Sequence, residues 1–120
     1  MITTEERKAL IAARGFIERG WTRGWFARTE NGRRADALYP RATCWCVMGA
    51  LQRATNYSVE DDDDSEETKQ ANLRYSALAT ILSRHTPRGR DLLGFNDNLE
   101  TTKEDVLNLF DRALAEETRS

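Results

Sequence analysis

The sequence contains few of the residues on which disulfide frameworks and metal sites depend: two cysteines and one histidine among 120 residues. Cys44 and Cys46 are one residue apart, so they cannot cross-link distant segments, and we expect both thiols to be reduced. No apolar stretch approaches the length that spans a membrane, since the longest covers residues 44–51. The first residues, MITTEERKAL, carry acidic side chains where a signal peptide would be basic and then apolar. We therefore expect a cytoplasmic protein without membrane contact.

Charge is unevenly distributed, although the formal net charge is only −2. Residues 1–59 carry ten Lys and Arg against five Asp and Glu, whereas residues 60–120 carry eight against fifteen. The two parts therefore have net charges of about +5 and −7. A basic half can bind nucleic acid. No basic cluster is denser than GRR or RGR, however, so we expect the two halves to complement each other within the fold. The same complementarity leaves a homodimer open.

The length and the helical periodicity predict one mainly α domain over residues 1–120. We expect about four packed helices, with a short β-hairpin inserted after the first. Thr3 and Glu6 fit a capping box that opens the first helix. Gly20 is placed to end that helix.

Capping signals also place the later helices. Residues 42–55 are predicted as the second helix, and an acidic loop over residues 58–65 follows it. Ser65 is the expected cap of the third helix. Thr101 and Glu104 fit a second capping box, which opens the last helix.

The second predicted helix contains the most apolar run in the chain. From Cys44 to Leu51 every residue is apolar or glycine, so all faces of this helix should meet protein. Small side chains recur in it at helical spacing, which predicts the close approach of another helix. These small residues are Cys46, Gly49, Ala50 and Ala54.

The segment ENGR carries the hairpin signal. Asn31 and Gly32 accept the positive φ angles of a type I′ turn, and the flanks WFARTE and RRADALY are the expected strands. Because a lone two-stranded hairpin is marginal in water, it should pack on the helices through Trp21, Trp25 or Phe26.

One catalytic interpretation is a small cysteine-dependent hydrolase. Cys46 or Cys44 would lie near a helix N-terminus, where a thiol pKa is lowered, and His85 and Asn96 or Asp97 follow in the order of papain-like enzymes. Against this, Cys46 belongs to the small packing residues, and free cysteine is usually buried. Nothing before Cys44 prepares an oxyanion hole. We therefore predict no catalysis that depends on Cys46 or His85, and we keep this hydrolase as an alternative.

The sequence predicts no metal and no cofactor. Two residues at positions i and i+2 of a helix diverge by roughly 200°, so the two cysteines cannot chelate one ion together. The acidic run lacks the alternating ligands and central glycine of an EF-hand loop.

Binding to another macromolecule is the function that the remaining residues favour. We predict a non-enzymatic protein with a protein partner of unknown identity, and a nucleic-acid binder acting through the basic N-terminal half is a second alternative. Asn and Asp side chains often shape turns through backbone hydrogen bonds, which competes with ligand binding at FNDN. The candidate binding residues are Trp21, Trp25, Arg33 and Arg34 of the hairpin, Asp61, Asp62, Asp63 and Asp64 of the acidic run, and Asn96 and Asp97.

Four short motifs together resemble a known protein family. They are GW at 20–21, WCVMGAL at 45–51, FND at 95–97 and TTKEDVLNLFDRAL at 101–114. They look like a family of small uncharacterised bacterial and phage proteins, a domain of unknown function. Its members typically show Trp-Cys-x-x-Gly-Ala, then Trp or Phe before Asn-Asp, then a Thr-capped terminal helix. The resemblance implies a shared helical fold and a phage or mobile-element origin, and it brings no activity with it.

Overall fold

The structure is a computed structural model that describes residues 1–58 and 64–119. Helices dominate it, which confirms the prediction of a mainly α chain, and short strands join them. The helices are α1 (Thr4–Arg19), α2 (Val47–Thr55), α3 (Glu66–Ser83), α4 (Leu92–Asp97) and α5 (Lys103–Leu114), with a 3₁₀ turn at Pro87–Gly89. The strands are β1 (Ile2–Thr3), β2 (Ala27–Thr29), β3 (Arg34–Ala35), β4 (Ala42–Trp45) and β5 (Thr118–Arg119).

The helix starts follow local capping chemistry. The capping box of Thr3 and Glu6 opens α1 as predicted, since each side chain bonds the other residue's backbone N–H. The predicted box before the last helix is wrong by one residue. Thr102 and Asp105 form it instead of Thr101 and Glu104.

The core lies between α1 and the helices that pack on it, chiefly α2 and α5, and also α3. Ala13 and Ile17 of α1 and Phe110 of α5 have no solvent exposure. Of the described helices, α2 has the largest buried fraction. The apolar run therefore forms a central, buried helix, although α2 is shorter than predicted.

Residues 42–45 form a strand, so the prediction that a helix begins at residue 42 is wrong. β4 pairs antiparallel with β2, which also pairs with β3, and the hairpin becomes a three-stranded sheet in the order β3-β2-β4. Cys46 is then the N-cap of α2, with extended backbone angles and a sulfur that accepts a hydrogen bond from the Gly49 N–H. Pairing across the sheet supplies the stability that a lone hairpin would lack.

The hairpin turn differs from the predicted type I′ geometry. Gly32 has a φ of 78°, but Asn31 does not have a positive φ. The Gly32 N–H donates to the Thr29 carbonyl, and the Thr29 N–H donates to the Arg33 carbonyl, both at 2.9 Å. A turn followed by one left-handed glycine is the usual geometry of a three-residue hairpin loop, and it needs a positive φ only at Gly32.

Gly49 is the point of closest approach to α2, but the approaching segment is not a helix. A Cβ atom at Gly49 would lie 1.9 Å from the carbonyl oxygen of Phe26, the residue just before β2. At Gly49 the predicted close contact therefore exists, and the residue before β2 rather than another helix makes it.

Candidate functional site

The hairpin exposes a tryptophan that stacks with one arginine, and a second exposed arginine is next in the sequence. Trp25 is 37% exposed, and the guanidinium carbon of Arg34 lies 4.7 Å from the centre of its ring. Arg33 is exposed at the end of the turn. We call Trp25, Arg33 and Arg34 the hairpin face. In this position the stacked Arg34 offers a cation and a flat aromatic surface together.

Trp21 was predicted to share one binding surface with the residues of the hairpin face, but it does not belong to that face. Its ring is half-buried, and its Nε1–H donates to Asn96 Oδ1 at 2.8 Å. Arg23 stacks on the same ring, with 4.5 Å between the guanidinium carbon and the ring centre. The indole therefore connects the segment after α1 to α4.

Asn96 is the centre of a buried network. Its Oδ1 accepts hydrogen bonds from Trp21 Nε1 and, at 3.0 Å, from the backbone N–H of Val47. Its Nδ2 donates to the Thr22 carbonyl at 3.3 Å and to Asp97 Oδ1 at 3.0 Å. We call these groups the Asn96 network. Because an amide side chain offers two donors and one acceptor oxygen with two lone pairs, all of its capacity is used within the chain.

Asp97 extends this network to the loop before the sheet. Its Oδ1 also accepts a hydrogen bond from the Gly24 N–H at 3.0 Å. Both residues of the predicted ligand site are thus placed where they join three segments: α4, the start of α2 and the loop that leads to β2.

Two further arginines of the basic segment bind carbonyl groups within the fold. Arg28 donates to the carbonyl oxygens of Gly32 at 3.1 Å and Arg23 at 3.3 Å. Arg23 itself donates to the carbonyl oxygens of Asn98, at 3.2 Å, and Thr101. These guanidinium groups shape the hairpin and its loop, whereas those of Arg33 and Arg34 remain available.

A groove that the sequence did not single out lies beside the hairpin turn. It has a volume of about 470 Å³, and its walls include Arg33, Tyr39 and Arg41. Tyr39 is 41% exposed, and Arg41 is exposed. We call it the arginine groove. The signal in the sequence was the arrangement Tyr-Pro-Arg, because proline favours exposed turns that present its neighbours.

The acidic run was predicted as a second binding surface. Asp64 is exposed just before the cap of α3. Asp61, Asp62 and Asp63 lie outside the described residues.

The residues of the hydrolase alternative are not assembled into a catalytic set. Cys46 is 1% exposed, and burial raises the pKa of its thiol to about 11. The Cys44 sulfur lies 3.8 Å from the Arg28 carbonyl oxygen. His85 Nε2 instead pairs with Glu116 Oε2 at 2.5 Å, and no hydrogen bond among the described residues joins it to either sulfur. A thiol with so high a pKa is a poor nucleophile near neutral pH.

Two classes of site are missing from the described ranges. Residues 1–58 and 64–119 contain no cluster of three or more His, Cys, Asp or Glu arranged to hold a metal ion. None of the helices formed by these residues is sufficiently long and apolar to cross a bilayer.

Comparison with known proteins gives a family and no activity. No curated protein and no solved structure matches the chain significantly. The model of the family of unknown function DUF6197 matches residues 1–116, and the chain belongs to that family.

Proposed function

We propose that this protein is a non-enzymatic binding module that contacts another protein through the hairpin face. The observation that carries the proposal is the stack of Arg34 on the partly exposed Trp25, with Arg33 exposed next to Arg34 in the sequence. Among the described residues, neither arginine lies within ion-pair distance of a carboxylate. Their charge is therefore available to a partner.

The chemistry of the hairpin face suits protein recognition. Tryptophan and arginine are the residues most enriched among those that dominate binding energy at interfaces. Stacking on Trp25 also restrains the Arg34 side chain before a partner arrives, which lowers the entropy lost on binding. Arg34 lies in β3, and Trp25 lies in the bend that leads into β2.

The two alternatives have less support. Arg23 and Arg28 donate hydrogen bonds to carbonyl groups of the chain, which reduces the basic surface available to a phosphate backbone. The buried Cys46 thiol and the separately paired His85 do not support a cysteine hydrolase.

The proposal extends to the setting of the protein. The motifs of the chain resemble those of small bacterial and phage proteins, and we infer a phage or mobile-element accessory factor that works in the cytoplasm. The reduced cysteines expected from the sequence support that location.

An affinity capture from the native host tests the hairpin face. Tagged wild-type protein would be compared with the Arg33→Glu/Arg34→Glu double variant and with Trp25→Ala. The Arg88→Glu/Arg90→Glu variant is a matched control, because it makes the same change of charge at two exposed arginines elsewhere.

We expect the wild-type protein and the control to retain the same partner. The amount of partner retained by each hairpin variant should fall by about tenfold or more, as it does when a dominant interface residue is removed. Circular dichroism would verify that each variant is folded. The proposal fails if wild-type protein retains no partner, or if the same partner survives both hairpin changes.

A further inference from the structure

The arginine groove has a wall that is held in shape before any ligand binds. The Tyr39 N–H donates to the Asp36 carbonyl, and the Ala42 N–H donates to the Tyr39 carbonyl, both at 3.0 Å. Arg53 Nη1 also donates to the Tyr39 carbonyl at 3.0 Å. These bonds fix the two consecutive turns that carry Tyr39 and Arg41.

The hairpin turn supplies the rest of the lining apart from Thr43. Gly32 closes the turn, and the Thr29 N–H anchors the Arg33 backbone at 2.9 Å. Arg33 and Arg41 thus approach the groove from two separately braced segments. Preorganised walls of this kind reduce the ordering cost of binding.

The charge of the groove is positive. Two arginines and one carboxylate, that of Glu30, line it. Within residues 1–58 and 64–119, neither Arg33 nor Arg41 has a carboxylate at ion-pair distance. The remaining side chains that form the walls are neutral and polar: Thr29, Asn31, Tyr39 and Thr43.

We propose that the arginine groove binds the carboxylate side chains of an acidic segment in the protein partner. This rests on the proposed function and names the chemistry that the partner presents. A guanidinium group donates two parallel hydrogen bonds to a carboxylate, so the two arginines that line the groove would hold two acidic residues of one extended peptide. Tyr39 lies between Arg33 and Arg41 in the sequence. Its half-exposed ring can cover the peptide backbone.

A peptide fits these features better than a nucleic acid does. Single-stranded nucleic acids are bound by grooves that combine continuous positive charge with several stacking rings. This groove has one ring, that of Tyr39, and its positive charge comes from two arginines and is not continuous.

Binding of a defined peptide tests the proposal. The probe is a fluorescein-labelled peptide of about ten residues, half glutamate and half serine, which is roughly 33 Å long when extended. Its anisotropy would be measured against the whole protein at ~50 mM and ~300 mM salt. A peptide with glutamine in place of glutamate controls for charge, and an oligothymidylate of about ten nucleotides tests the rival ligand.

The variants separate the groove from the hairpin face. Arg33→Gln/Arg41→Gln removes both groove charges, Arg88→Gln/Arg90→Gln is the matched control, and Trp25→Ala removes the aromatic part of the hairpin face. Because Arg41 lies outside the hairpin face, the single variant Arg41→Gln belongs to the groove alone. Unchanged circular dichroism and melting temperature would show that each variant is folded.

We expect the glutamate peptide to bind wild-type protein, the control and Trp25→Ala equally, and the glutamine peptide to bind none of them. Arg33→Gln/Arg41→Gln should weaken binding about tenfold, Arg41→Gln by a smaller factor, and higher salt should weaken binding to wild-type protein. The groove proposal is overturned if the glutamate peptide does not bind, if the double variant binds it as well as wild-type protein does, or if the oligothymidylate binds more tightly. A captured partner that depends on Trp25, without peptide binding, would reject the groove and retain the proposed function. Peptide binding that depends on Arg41, without any captured partner, would support the groove and reject the hairpin face.

Discussion

Gly49 lies in α2 directly against the backbone of Phe26, and this contact sets the distance between the sheet and the core. In the variant Gly49→Ala, the new Cβ atom would lie 1.9 Å from the Phe26 carbonyl oxygen and 2.7 Å from its carbonyl carbon. Both are backbone atoms, so no change of rotamer can make room. Since non-bonded carbon and oxygen atoms need about 3.4 Å, the segment before β2 must move by about 1.5 Å.

The cost of this movement can be estimated from its parts. Overpacking of a tight core typically costs about 1–3 kcal/mol. The Phe26 carbonyl also accepts the Cys46 N–H at 3.1 Å, and loss of this bond adds about 1 kcal/mol. Alanine gains about 1 kcal/mol over glycine in a helix interior. We therefore expect Gly49→Ala to lower the free energy of unfolding by about 2 kcal/mol.

The variant Gly15→Ala makes the same chemical change in α1 and is the matched control. A Cβ atom at Gly15 would have nothing within 4 Å, so alanine should raise the free energy of unfolding by about 0.5–1 kcal/mol. Urea unfolding monitored by circular dichroism measures both effects as a change of midpoint at constant m. If Gly49→Ala is as stable as wild-type protein, the close packing of Phe26 on α2 is wrong. A loss at Gly15 as large as that at Gly49 would also refute the explanation.

Three further predictions concern single side chains. The pKa of Glu116 is lowered from an ordinary value of 4.5 to about 2 by hydrogen bonds with Arg84, the amino terminus and His85. Because the folded-state pKa is the lower one, Glu116→Gln should cost about 1 kcal/mol in urea unfolding at neutral pH, and this cost should disappear as the pH falls from about 4.5 towards 2. In a Cys44→Ser background, iodoacetamide should label Cys46 only as fast as the protein unfolds, because the buried sulfur is out of reach of the reagent in the folded state. Asn96→Ala should lower the free energy of unfolding by about 2–4 kcal/mol, since buried donors lose their acceptor.

Controls make each of these three results decisive. For Glu116, a cost that stays constant down to about pH 2 would contradict the ion-pair explanation. For Cys46, labelling in the native state at the rate of a free thiol would contradict its burial and revive the hydrolase alternative. Asn108→Ala removes the same amide from an exposed site on α5, where we expect a change below about 0.5 kcal/mol. Equal losses at Asn96 and Asn108 would contradict the importance of the Asn96 network.

Most of the helical part of the fold could be predicted because its signals are local. The capping box of Thr3 and Glu6 specifies where α1 begins, and the N-cap Ser65 specifies where α3 begins. Each cap bonds a backbone group within three residues. The error at α5 has the same origin. Thr101 and Thr102 are both followed by an acid three residues later, so the sequence offers two equivalent boxes, and only the packing of α5 selects the second.

The sheet could not be predicted to the same extent because it depends on distant pairing. Residues 42–45 are three apolar residues and one threonine, and a segment of four residues is too short for a period that distinguishes strand from helix. Its strand conformation follows from hydrogen bonds to β2, which lies earlier in the chain, and from the extended backbone of Cys46. Cysteine is also an uncommon N-cap, so the start of α2 carried no recognisable signal.

The candidate site shows the same division between local and distant information. Arg23, Arg28, Arg33 and Arg34 look equivalent in the sequence, all within one basic segment around a hairpin. The first two donate to carbonyl oxygens at the Asn98 end of α4 and within the hairpin, which makes them part of the fold. A guanidinium group stabilises the fold when its N–H groups donate to carbonyl groups that the strands and turns leave unpaired. A guanidinium group without such acceptors can bind a partner. The acceptors of Arg23 lie about 75 residues away in the sequence, whereas those of Arg28 are four and five residues away and depend on how the hairpin folds. A basic composition therefore predicts that a binding surface exists, and only the hydrogen bonds of the folded chain identify the arginines that form it.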